Sequence, residues 1–102
     1  MGLDLERSRR EALRWRILQT LNVGRPYPIG EDVLLTTVGG PDMPVTPMEL
    51  RRELEYLEHR KLIQLAGKCT SLWSAELNRY GVDVVEYTID CDPGIARPRK
   101  YW

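Results

Sequence analysis

The chain has 102 residues, 42% of them hydrophobic and 29% charged, which fits one domain around one core and excludes a multidomain enzyme. Fifteen Lys and Arg side chains balance fifteen Asp and Glu, so no bulk positive field gathers nucleic acid or an anionic membrane, and any such binding has to come from a local patch. No apolar run approaches the roughly 18 residues of a transmembrane helix, and Met1–Arg16 is too charged for a signal-peptide core.

Cys69 and Cys91 are too few and too far apart for a disulfide framework or a zinc site. A cytosolic protein with two reduced thiols, no membrane association and no cofactor is the expectation.

From about Leu5 to Leu21, Leu13, Ile17, Leu18 and Leu21 share one helical face while Arg7, Arg9, Arg10, Arg14 and Arg16 supply charge elsewhere. That predicts an amphipathic first helix. Asn22-Val23-Gly24 stops it, and the prolines of Arg25-Pro26-Tyr27-Pro28-Ile29 predict an extended stretch with room for one short strand or bridge. A second helix is expected over Glu31–Val38, with acidic residues at its start and Val33, Leu34 and Leu35 on its buried face.

Thr46-Pro47-Met48-Glu49 is the clearest local signal: an N-cap hydroxyl, proline at the first helical position and a capping-box glutamate. The third helix therefore starts at Thr46. Its apolar stripe is Leu50, Leu54 and Leu57, which turns Met48, Arg52, Glu55, Tyr56 and His59 the other way. From Leu62 to Leu77 the period becomes alternating and predicts a β-hairpin, with Trp73, Ala75 and Leu77 facing the helices and Lys68 and Thr70 near an exposed tip. Asn78 caps a fourth helix of roughly Arg79–Tyr87, with Val82, Val85 and Tyr80 inward. Residues 90–102 read as an extended C-terminal arm following a domain of residues 1–89.

Helix, short extended segment, helix, capped helix, hairpin and helix is the order of an α+β winged helix–turn–helix domain. It has a three-helix core, a C-terminal hairpin as the wing and, here, a fourth helix. Ile17-Leu18-Gln19-Thr20-Leu21, Val33-Leu34, Val45-Thr46, Leu50…Leu54…Leu57…Leu62-Ile63, Leu77-Asn78…Gly81…Asp83 and Gly94-Ile95-Ala96-Arg97-Pro98 together resemble a family of small winged-helix proteins of Mu-like phages and prophages. The resemblance spans roughly residues 10–98. It implies a protein in the cytoplasm of a bacterial host and, by analogy of fold, a regulator of transcription or an accessory to a phage DNA transaction. One departure is Arg60-Lys61, where many winged helices have glycine. Lys in a left-handed cap costs about 1 kcal/mol relative to Gly, so a different helix ending is expected.

Two partners remain open. If the third helix reads double-stranded DNA, as a dimer, then Thr46, Met48, Arg51, Arg52 and Glu55 face base edges, while Lys68 and Thr70 on the wing meet the backbone. Residues 46–61 also carry Glu49, Glu53, Glu55 and Glu58, which repel phosphates and offset Arg51, Arg52, Arg60 and Lys61. The alternative is a protein-interaction module serving phage assembly or packaging, for which Arg97, Arg99, Lys100, Tyr101 and Trp102 form the expected partner-binding segment or a homodimer contact. His59 is the sole histidine, and Asp83, Glu86, Asp90 and Asp92 have no paired-carboxylate spacing. No enzyme is expected.

Overall fold

The computed structural model describes residues 4–100 and is α+β, with four helices and a small three-stranded antiparallel sheet. Helix α1, Leu5–Val23, begins at Asp4, whose carboxylate accepts from the Arg7 N–H at 3.0 Å. It buries the expected Leu13, Ile17, Leu18 and Leu21, and in addition Trp15 on another side. The helix is therefore covered on more than one face. α2, α3 and the sheet take one side, and Trp15 meets Tyr87 edge-on at 6.4 Å on the other.

The stretch after α1 is a turn rather than an extended run, since the Tyr27 N–H returns to the Gly24 carbonyl at 3.0 Å. Only β1, Ile29–Gly30, pairs with the sheet. Helix α2, Glu31–Val38, follows directly. Helix α3, Pro47–His59, starts as its sequence dictates, with the Thr46 hydroxyl accepting from the Glu49 N–H at 3.1 Å. Strands β2, Ile63–Ala66, and β3, Ser74–Leu77, form the hairpin with Ile63 opposite Leu77 and Leu65 opposite Ala75. The strand order is β1-β3-β2. Helix α4, Arg79–Val85, is shorter than expected. It buries Val84, while Tyr80 is exposed, because capping by Asn78 sets a register that turns Val84 and Gly81 toward the core. A Cβ on Gly81 would collide with the Leu62 carbonyl.

Helix α3 does end in a left-handed cap, and Lys61 occupies it with φ 65°. The Leu62 N–H reaches the Leu57 carbonyl at 3.0 Å and the Lys61 N–H the Glu58 carbonyl at 2.9 Å, the paired bonds of a Schellman ending. The expectation of another geometry is thus corrected. Burial of Leu57 and Leu62 on both sides of the cap holds the turn and outweighs the backbone preference of one residue.

The segment from residue 90 lies against the helices. Ile95 belongs to the core, the Ala96 N–H donates to the Glu11 carbonyl at 3.1 Å, and Arg14 donates to the Gly94 carbonyl at 2.8 Å. Arg97 holds the carbonyls of Val84 and Ile89, each at 2.9 Å, with its guanidinium 4.3 Å from the Tyr87 ring centre. Gly94 has φ 111° and passes so close to the Tyr56 hydroxyl that a Cβ would strike it. The Gly94–Pro98 motif is therefore a clamp across α1, α3 and α4. No described helix is long and apolar enough to cross a membrane.

Candidate nucleic-acid interface

The outward face of α3 and the hairpin bound an open concavity of about 720 Å³, lined by Thr46, Met48, Glu49, Arg51, Arg52, Glu55 and Trp73. All five α3 residues singled out from sequence meet there. The apolar stripe buried beneath them fixes which side of the helix they occupy, and Met48, 83% exposed, stands at the rim.

Trp73 forms the floor and is held by charge. Glu31, buried at the first turn of α2, accepts from Arg51 Nε at 2.7 Å and Nη2 at 2.5 Å, and from the Trp73 backbone N–H at 2.9 Å. Its own N–H returns to the Trp73 carbonyl at 2.8 Å. The Arg51 guanidinium lies 4.5 Å from the Trp73 ring centre and Lys68 Nζ 5.7 Å from it, within reach for cation–π attraction. The hydrogen bonds from Arg51 hold the Glu31 carboxyl below its ordinary range, and the same contact raises Arg51.

A second hub lies behind the hairpin. Glu58 accepts from Lys68 Nζ at 2.8 Å and from the Leu65 N–H at 3.1 Å, which occupies an outward donor of the edge strand β2. The bond from Lys68 lowers the Glu58 pKa and raises that of Lys68. Glu55 lies 3.9 Å from the same ammonium. Glu49 is bound by Arg9 of α1, which lowers its pKa through the hydrogen bond.

These contacts sort the expected DNA-facing residues. Arg51 and Lys68 carry carboxylate partners. Thr46 caps its helix, and the Thr70 hydroxyl sits 2.7 and 2.9 Å from the Gly67 and Leu72 carbonyls, inside the hairpin turn. Met48, Arg52 and Glu55 remain directed outward, and among the described residues Arg52 makes no hydrogen bond or ion pair. Glu53, expected to face phosphate, is instead 1% exposed and bonded to Arg14 Nε at 2.7 Å. Its position between Leu50 and Leu54 is the signal that pointed inward. Among the described residues, the buried Glu53 Oε2 and Trp73 Nε1 atoms have no hydrogen-bond partner.

The expected partner-binding segment is divided. Arg97 is committed to backbone carbonyls, Arg99 and Lys100 are exposed beside Tyr87 and Cys91, and Tyr101 and Trp102 lie outside the described residues. Burial pushes the Cys91 thiol up. Comparison of the chain with models of protein families, with curated proteins and with solved structures finds no match.

Proposed function

We propose that the chain is a winged helix–turn–helix domain of the kind found in Mu-like phages, and that it binds double-stranded DNA with the outward face of α3, the hairpin serving as the wing. The strand order β1-β3-β2, with the first strand between α1 and α2, supports the fold. The observation that carries the function is the convergence of Thr46, Met48, Arg51, Arg52 and Glu55 on one open concavity, where Arg52, near Glu49, makes no hydrogen bond or ion pair among the described residues. Arg52 is then the primary donor to a base edge or phosphate. Arg51 and Lys68 join only by exchanging Glu31 and Glu58 for phosphate, so the electrostatic share of binding is small for a DNA reader. In a phage such a protein regulates transcription or assists a DNA transaction.

A second reading, docking of a phage assembly or packaging protein on the same face, is supported by the exposure of Met48 beside carboxylates already paired with cations. Titration of labelled duplex with wild type, Arg52→Ala and Met48→Ala separates the two. The DNA reading expects saturable binding at low salt that Arg52→Ala weakens at least about tenfold, the loss of one charge-assisted contact. Absence of binding at low salt contradicts it.

A further inference from the structure

Lys68 is the only cation between Leu62 and Leu77, so a hairpin that meets a phosphate backbone has one charge to offer. In the free chain that charge is turned back onto α3. Its Nζ lies 2.8 Å from Glu58 Oε1 and 3.9 Å from Glu55 Oε2, and 5.7 Å from the Trp73 ring centre. Glu55 and Glu58 stand three positions apart, as neighbours on a helix surface do, so two carboxylates face one ammonium. Arg51 adds a tie from the same helix to the hairpin, donating to the Ser71 carbonyl at 3.0 Å.

We infer that Glu58, with Glu55 beside it, masks the hairpin: the carboxylates hold Lys68 in place of a phosphate, and duplex binding exchanges one for the other. The inference rests on the DNA reading of this face and adds to it an autoinhibitory contact. The exchange costs little at Lys68 because both side chains are partly exposed, 40% for Lys68 and 33% for Glu58, so water receives the carboxylate that is left behind. At Arg51 it costs more. Glu31 is 11% exposed and also accepts from the Trp73 N–H, so releasing Arg51 strands a buried charge. Glu58 keeps its place when Lys68 leaves, since the Leu65 N–H still donates to its Oε2 at 3.1 Å. Phosphate contacts carry no sequence information. Masking therefore lowers affinity for every duplex alike and leaves Met48 and Arg52 on α3 to choose the site.

Titration of a labelled mixed-sequence duplex at low salt with wild type, Glu58→Gln, Lys68→Gln and the double variant tests the inference. Glutamine removes the charge at Glu58 while keeping an acceptor for the Leu65 N–H, and circular dichroism reports that the variants fold. Glu58→Gln is expected to tighten binding about threefold, the scale of a partly exposed ion pair, and the gain is expected to be lost in the Lys68→Gln background. Equal gains in the two backgrounds mean that Glu58 only repels phosphate, which overturns the masking and leaves the DNA reading standing. Wild-type binding that Glu58→Gln leaves unchanged or weakens does the same. Absence of binding by all four proteins overturns the DNA reading and the masking with it.

Discussion

Arg14 and Glu53 join α1 to α3 through a 2.7 Å bond in which the carboxylate is 1% and the guanidinium side chain 13% exposed. Arg14 also stacks 3.6 Å above the Tyr56 ring centre and donates to the Gly94 carbonyl. One side chain thus ties the first helix, the third helix and the C-terminal clamp together. Removing one partner of a buried pair strands the other charge, at a cost of about 3–5 kcal/mol. Arg14→Ala is expected to lower unfolding stability by about 3 kcal/mol in urea. A loss below about 1 kcal/mol would place this pair with exposed ones instead.

Lys61 holds a left-handed conformation that glycine adopts without penalty. Lys61→Gly is expected to stabilise the protein by about 0.5–1 kcal/mol, the relief at φ exceeding the entropy that glycine adds to the unfolded chain. The urea midpoint should rise with an unchanged slope. A lower midpoint would show that the Lys61 side chain supports the cap.

Glu31, Glu49 and Glu58 all have folded pKa values lowered from 4.5, chiefly by hydrogen bonds from Arg51, Arg9 and Lys68. In such cases the unfolded chain takes up protons first as pH falls. The stability these groups supply is complete above about pH 4.5 and is lost as pH drops through their folded values. Thermal melts should be flat between about pH 6 and 8 and fall steeply in acid, less so for Glu31→Gln. A melting temperature that holds constant into acid would rule out these three contacts as contributors.

Much of the fold is legible in the sequence because its signals are local. Thr46-Pro47-Met48-Glu49 gives the start of α3, and Leu50, Leu54 and Leu57 give its buried side. The expected site residues on α3 share one face for the same reason. Long-range contacts are what local patterns miss. Glu53 lies on the buried stripe of α3, but no local pattern pairs it with Arg14, 39 positions earlier. Ile95 sits in a proline-rich stretch with no periodicity, and its burial depends on carbonyls offered by Gly94, Val84 and Ile89 to arginines on other elements or turns. Arg51 and Lys68 read as free cations because Glu31 and Glu58 lie 20 and 10 positions away.

The salt dependence of duplex binding tests the central claim most directly. If Arg52, which makes no hydrogen bond or ion pair among the described residues, and the recruitable Arg51 and Lys68 neutralise about two to three phosphates per chain, log affinity against log salt should fall with a slope of about −2 to −3. Arg52→Ala should reduce that slope by about one. No binding at the lowest salt, or a slope and affinity indifferent to Arg52, would contradict DNA recognition by this face.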